Sequence, residues 1–329
     1  MPAHSLSDIR MTTTLQASDR VDQLPCGATQ KARATASTVI PKMLKGTQWT
    51  IPSKSSLKQF LGSIMKGMWS HSRKMLAPEV VMAILNDPTQ VDPWGAVIYT
   101  CMMVARRTLR RSPQRTARMF RDIRLAEKTE IPGIQGPAHT FHYLLDALGL
   151  DLKAINGAWV LIDEHGAKVD FLQASKQHFK KMITMWIRKA IMQQLHDCAK
   201  LPDNYEEGQD KPKGYRKDMN GVPPNVDLHA TTANYRQKKG KHPYATDKHL
   251  KDTLDSVLTG AVRAGDRLLA AKLIHTDRCP HCDQEHRHTT KHMFWHCDKH
   301  KKCRKEAVAE IHKIFNKTAQ LHGSLPGSI

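Results

Sequence analysis

Four potential metal ligands near the C-terminus constrain this chain more than any other feature of its sequence. Cys279 and Cys282 are separated by two residues, and nine residues further on His292 and Cys297 lie five positions apart. Two thiolates at this spacing reach one metal ion because a tight turn brings both sulfurs to one point. Four protein ligands leave no open position for water, so we expect one structural zinc ion that folds this segment.

Two different residues could be the fourth ligand beside His292. His292 and His296 are four residues apart and share one face of an α-helix, whereas His292 and Cys297 have the five-residue spacing of knuckle-type sites that close at a helix end. We favour the set with more thiolates, because thiolate binds zinc strongly. This set is Cys279, Cys282, His292 and Cys297. His296 and Cys303 are the alternates, and the competing interpretation is a chance grouping in a chain with 19 histidines.

Cysteine usage and the apolar pattern both indicate an intracellular protein, nuclear or cytoplasmic. Seven cysteines in 329 residues are too few for a small disulfide scaffold, and three of them fall in one short window. The best apolar run, 94–105, is shorter than the roughly 18 residues of a membrane span. The first residues have no apolar segment of the kind that signal peptides carry. We expect no membrane partner.

The net charge of +20, at a pI near 9.7, predicts a polyanionic partner. The surplus is greatest in an arginine-rich helix pair (106–124), in a long helix and in the run after the zinc knuckle. The alternative for each group is an ordinary solvated helix face. The candidate nucleic-acid contacts are Arg107, Arg110, Arg111, Arg115, Lys180, Lys181, Lys291, Lys299, Lys301, Lys302, Arg304 and Lys305. Phe294 and Trp295, between the ligands, are expected to form the small core of the knuckle rather than to stack on bases.

The length predicts about two domains and the apolar periodicity predicts a mainly α fold. We expect a polar tail (1–31), a helical bundle-like domain with one β-hairpin (32–199), a linker (200–247), and a C-terminal part (248–329) with a helix, the zinc knuckle (279–297) and a basic helix. Strong helical spacing occurs at 57–69 and 179–195, and a helix should open near Asp92 and Pro93 and run to about Arg111. The hairpin at 159–171 turns at Gly166.

Four features in this order resemble the region downstream of the polymerase domain in open reading frames of non-LTR (LINE-like) retrotransposons. They are the segment RATASTVIPKMLKGTQWTIPSKSSLKQFLGSIMKGMW, the hairpin WVLIDEHGAKVDF, the helix after it, and the Cys279–Cys297 cluster followed by a basic helix. In that region a helical, thumb-like part precedes a zinc knuckle of the form CPxC…H…C. The resemblance covers most of the chain after about residue 30, although only the knuckle is specific. It implies binding to template RNA or target DNA, with a reverse transcriptase core encoded upstream as a further candidate partner.

The chain lacks the catalytic motifs that accompany this region in such elements. Reverse transcriptases hold two metal ions with carboxylates, commonly an aromatic-x-Asp-Asp turn, and the chain has no Asp-Asp pair. Asp203, Asp210 and Lys211 have the composition of a nuclease metal site but not its spacing. The sequence therefore predicts a retroelement-derived, non-catalytic nucleic-acid-binding protein. The alternatives are a zinc-stabilised helical protein-interaction module and a decayed element fragment without enzymatic activity.

Overall fold

The structure, a computed structural model, describes residues 3–47, 51–69, 77–115, 136–201, 264–270, 272–282 and 286–322, with a few single positions between them. The chain divides into two compact units, Met1–Gly260 and Ala261–Ile329. The described residues are mostly helical with one small antiparallel sheet, so the predicted mainly α class is confirmed. No helix among them is long and apolar enough to cross a membrane.

Helices dominate the first unit. Its elements in chain order are α1 (Ala3–Asp22), α2 (Ala28–Ala34), a π-helical segment (Thr35–Val39), α3 (Ile40–Leu44), α4 (Lys54–Trp69), α5 (Pro78–Val80), a second π-helical segment (Val81–Leu85), α6 (Pro93–Arg111), α7 (Pro137–Ala147), strands β1 (Leu150–Ile155), β2 (Ala158–Asp163) and β3 (Lys168–Asp170), and α8 (Lys176–Ala199).

The second unit is smaller. It contains α9 (Gly265–Ala270), a π-helical turn (His292–His296), a 3₁₀ turn (Asp298–His300) and α10 (Lys301–His322).

The N-terminal segment differs from the polar tail predicted at 1–31, because it forms α1 and the start of α2. Helix α1 packs on α4 and buries Thr14, Ala17 and Ser18. The helices approach closely at Gly67 of α4, where an added Cβ would lie 3.2 Å from the Ser18 carbonyl oxygen. Thr14 and Ser18 interrupt the apolar residues of this buried face, which include Ala17 and Val21, so its apolar period is too weak for a sequence pattern to reveal.

The predicted helices at 57–69, 92–111 and 179–195 are present as α4, α6 and α8. A side-chain cap opens the last two: Asp92 accepts from the Gly95 N–H at 2.6 Å and Ser175 accepts from the His178 N–H at 3.1 Å. Pro93 occupies the first turn of α6, where its missing N–H is not needed. The apolar faces of α6 and α8 then pack together.

One part of the core of this unit lies between α6, α7, α8 and the sheet, and the same core continues through α1, α3 and α4. The Phe171 ring, which follows β3, contacts Phe141 of α7 and Phe179 of α8 at centroid distances of 5.7 and 5.5 Å. All three side chains are buried, as is Trp186. The Trp186 indole N–H donates to the Asp163 carboxylate at 3.2 Å, so the end of β2 is tied to the middle of α8.

The predicted hairpin is present as β2 and β3, and Gly166 adopts a φ of 81° in its turn. The sequence prediction missed a third strand, β1, which pairs antiparallel with β2. The turn between them is Asn156-Gly157, with φ of 50° and 79°. An Asn-Gly pair between apolar runs is a strong hairpin signal that would have identified β1.

Several predictions fall on positions without a described structure. The linker at 200–247 lies almost wholly outside the described residues, as do Asp203, Asp210 and Lys211 and most of the helix predicted after Pro113.

Candidate metal centre

A short hairpin presents the first two candidate ligands. Arg278 pairs antiparallel with Arg287, and the Cys279 N–H donates to the His286 carbonyl at 2.9 Å. The Arg287 side chain donates to the Asp277 carboxylate at 2.5 Å, which joins the two arms of the hairpin a second time. Cys279 and Cys282 therefore lie where the hairpin closes, as a two-cysteine turn requires.

A helical turn presents the other two candidate ligands. The Thr289 hydroxyl accepts from the His292 N–H at 3.0 Å, so Thr289 caps the start of the turn. The Cys297 N–H donates to the His292 carbonyl at 2.7 Å, a bond between residues five apart that defines a π-helical turn. This wider turn brings His292 and Cys297 to the same side.

The four favoured ligands converge. One potential ligand atom from each of Cys279, Cys282, His292 and Cys297 lies within 4.8 Å of all the others. The sulfurs of Cys279 and Cys297 are 3.9 Å apart, and the Cys282 sulfur lies 3.3 Å from His292 Nε2. Cys282 is half-buried and the other three are buried. These four side chains are close enough to hold a metal ion.

The alternates do not belong to this group. His296 and Cys303 are both exposed, and neither is among the clustered ligand atoms. In an α-helix, His296 would share a face with His292. The turn that forms is π-helical, with Cys297 as the residue that follows it, so Cys297 rather than His296 lies beside His292.

The electrostatic surroundings suit metal binding. Burial raises the pKa of Cys279, but hydrogen bonds with the backbone N–H groups of His281 and Cys282 and with the side chains of Cys282 and Cys297 together outweigh it, so the pKa lies below the ordinary thiol value. Burial, together with repulsion from neighbouring histidines, lowers the pKa of His292. Thiolate and neutral imidazole are the forms that bind metals. Both shifts therefore favour the ligand state.

Helix α9 braces the hairpin through His288. The His288 Nδ1 atom accepts from the Gly265 N–H at 3.0 Å, and the His288 carbonyl accepts from the Asp266 N–H at 3.2 Å. A Cβ on Gly265 would lie 2.8 Å from the His288 Cβ, so glycine is required for this approach. The sequence prediction missed Gly265 and His288, because their contact spans 23 residues and has no local pattern.

The basic residues around the centre are mostly exposed. Lys291, Lys299, Lys301, Lys302 and Lys305 are exposed, whereas Arg304 is half-buried. The Arg304 guanidinium donates to the Cys297 carbonyl at 2.7 Å, which ties α10 to the last candidate ligand.

The predicted burial of Phe294 and Trp295 as a small core is wrong. Trp295 is 68% exposed and Phe294 is 37% exposed. Because His292 and Cys297 turn towards the cluster, Phe294, Trp295 and His296 between them turn towards solvent.

The candidate contacts in the first unit fall into two groups. Arg107, Arg111, Arg115 and Lys181 are exposed. Lys180 instead pairs with Asp87 at 2.7 Å, and Arg110 donates to the Leu172 carbonyl.

Arg106, the first residue of the arginine-rich stretch, is buried and structural. Its guanidinium donates to the carbonyls of Leu172 and Ala174 and lies 4.6 Å from the centre of the Phe179 ring. It anchors the segment between β3 and α8 to α6, so the arginine-rich stretch is only partly a surface feature.

No protein-family model, curated protein or solved structure matches the chain. Its class is defined by the fold and the cluster alone. It is a mainly α-helical protein whose smaller unit carries a Cys₃His group that can hold a metal ion.

Proposed function

We propose that this chain is a non-catalytic nucleic-acid-binding protein in which one structural zinc ion folds the second unit. The observation that carries the proposal is a closed Cys₃His group beside a run of exposed lysines. A bound metal would hold the hairpin and the π-helical turn together, and the lysines would neutralise phosphates.

The donor set and its spacing support zinc. With Zn–S bonds of about 2.3 Å and Zn–N bonds of about 2.0–2.1 Å, a tetrahedral site places two sulfurs about 3.8 Å apart and a sulfur and a nitrogen about 3.6 Å apart. The corresponding distances are 3.9 Å between Cys279 and Cys297 and 3.3 Å between Cys282 and His292. Four protein ligands complete the coordination, so the ion stabilises the fold and activates no water.

The resemblance to the post-polymerase region of LINE-like retrotransposons supports the same function. It suggests a retroelement-derived fragment whose partners are RNA or DNA, together with a reverse transcriptase core encoded upstream. The knuckle ligands Cys279, Cys282, His292 and Cys297 carry this resemblance. No polymerase or nuclease activity is proposed, because the sequence has neither the Asp-Asp pair nor a correctly spaced nuclease motif.

Salt-dependent binding tests the proposal. The zinc-loaded chain should bind labelled RNA or DNA, and log K should fall linearly with log salt with a slope near −0.9 for each phosphate contacted in duplex DNA. Replacing Lys299, Lys301 and Lys305 by glutamine should weaken binding and reduce that slope by about 1–3 units.

A matched control removes the same charge elsewhere. Lys42, Lys54 and Lys58 are exposed lysines of the first unit that are not candidate contacts. Their triple glutamine variant should bind nearly as tightly as the wild type. Absence of binding at low salt would refute the proposed function and favour the protein-interaction module. Equal losses in the two variants would contradict the role given to the lysines beside the metal centre.

A further inference from the structure

The exposed indole of Trp295 faces a groove beside the first turns of α10. The groove has a volume of about 660 Å³. We call it the Trp295 groove. Its lining residues are Trp295, Lys301, Arg304, Lys305, Val308, Ala309 and His312.

The helical side of the groove is a single stripe of α10. Positions 301, 304, 305, 308, 309 and 312 follow the three- and four-residue spacing of one helix face. The two lysines and Arg304 occupy the end nearest the metal cluster, and Val308 and Ala309 continue the stripe as small apolar side chains. The groove therefore combines an aromatic wall, an apolar floor and cations, with no acidic residue among its lining.

A single carbonyl group ties α10 to the end of the turn that carries Trp295. The Cys297 carbonyl accepts from the Arg304 guanidinium at 2.7 Å and from the His300 N–H at 3.1 Å. Trp295 lies in the turn that ends at Cys297, so the indole and α10 are positioned together. A binding surface that is rigid before the ligand arrives loses less entropy on binding.

We infer that the Trp295 groove receives an unpaired nucleobase, stacked on the indole, with the flanking phosphates on Lys301 and Lys305. This inference rests on the proposed function and narrows its partner to single-stranded nucleic acid. A paired base inside a duplex offers no free face to an indole, and phosphate contact alone would need only the lysines. An aromatic ring that is 68% exposed beside cations is the arrangement used for stacking on single strands.

The test compares Trp295→Leu with the wild-type, zinc-loaded full chain. The probes are a labelled 12-nucleotide single strand, as DNA and as RNA, and the 12-base-pair duplex of the same sequence. Loss of one stacked base should weaken single-strand binding on the order of 10- to 100-fold, with less than about a twofold change for the duplex. Trp295→Phe keeps an aromatic face and should restore most of the affinity.

Lysine variants supply a matched pair on one helix. Lys305→Gln removes a charge inside the groove and should weaken single-strand binding more than duplex binding. Lys302→Gln removes the same charge from an exposed position of α10 that does not line the groove, and should weaken both equally. Metal content and far-UV circular dichroism should match the wild type in all variants, because these side chains are exposed.

Three results would overturn the inference. The first is an unchanged single-strand affinity in Trp295→Leu, and the second is an equal loss of affinity for the single strand and the duplex. The third is a poly-glutamate peptide that binds as tightly as the single strand and depends on Trp295, which would assign the groove to acidic peptides. If instead the wild type binds no oligonucleotide at low salt, the proposed function fails as well. Binding that persists but ignores Trp295 refutes the groove alone.

Discussion

The Cys297 N–H donates a hydrogen bond of 2.7 Å to the carbonyl oxygen of His292, five residues earlier. This bond makes the turn π-helical rather than α-helical and brings the imidazole and the last thiolate to one side. An α-helical turn would have favoured His296, four residues after His292, as the partner. The backbone geometry therefore selects among the ligand sets that the sequence allows.

Substitutions at Cys297 and His296 distinguish the two possible ligand sets. Cys297→Ser should abolish stoichiometric metal binding and unfold the second unit, because a structural zinc site loses its closed coordination. His296→Ala should retain one metal ion per chain, since His296 is exposed and lies outside the cluster. Metal content by mass spectrometry and the helical circular dichroism of both variants would check this. Metal loss in His296→Ala with retention in Cys297→Ser would contradict the assignment.

The second prediction concerns the contact between α9 and the hairpin. Gly265→Ala places a methyl group 2.8 Å from the His288 Cβ and 3.1 Å from His288 Nδ1. The clash should lower the free energy of unfolding by about 1–3 kcal/mol. Gly62→Ala in α4, where a Cβ meets nothing within 4 Å, is the control and should be neutral or stabilising by up to about 1 kcal/mol. Thermal unfolding of the metal-loaded proteins measures both, and a wild-type melting curve for Gly265→Ala would disprove the contact.

The third prediction concerns pH. Burial raises the pKa of Asp92 to about 6 from 3.8, although the Gly95 N–H opposes the shift. The folded state then holds the proton more tightly than the unfolded chain, so the contribution of Asp92 to stability is present below about pH 4 and is lost as the pH rises through 6. The loss amounts to about 3 kcal/mol.

Asp92→Asn isolates this effect, because asparagine still caps α6 but does not titrate. Chemical unfolding at pH 4 and pH 8 should show the wild type losing about 2 kcal/mol relative to the variant over that interval. A stability difference that stays constant with pH would show that Asp92 does not titrate in this range.

The fourth prediction separates two adjacent arginines. Arg106→Ala removes a buried guanidinium that donates to the half-buried carbonyls of Leu172 and Ala174, and should cost about 2–4 kcal/mol of unfolding free energy. Arg107→Ala changes an exposed side chain and should stay within about 0.5 kcal/mol of the wild type while weakening nucleic-acid binding slightly. Equal stability of the two variants, measured by denaturant unfolding, would show that Arg106 is not structural.

Local patterns were sufficient for several elements. Asp92 and Pro93 predicted where α6 begins, and the helix ends at Arg111 as expected. The apolar spacing from Phe179 to Leu195 predicted α8, and Gly166 predicted the turn between β2 and β3. These features depend on residues within a few positions of one another, where caps, periodicity and turn chemistry act.

Other features depend on distant partners. Helix α1 has only a weak apolar period, and it was missed because its buried side chains are covered by distant elements, namely α4, α3 and the first π-helical segment. Arg106 resembles its exposed neighbours in sequence, yet its partners lie more than 60 residues away. Sequence patterns contain no information on which face of a helix a distant segment will cover.

The candidate metal centre also has features set by local sequence and features set by distant contacts. The sequence by itself determined the types and spacing of the candidate ligands, because thiolate and imidazole chemistry requires those residues in pairs. Only the tertiary structure decided that Cys297 rather than His296 joins Cys279, Cys282 and His292, and that Trp295 faces solvent. The physical reason is that convergence on a single point depends on the hairpin, the π-helical turn and α10 packing together, whereas spacing along the chain only makes that convergence possible.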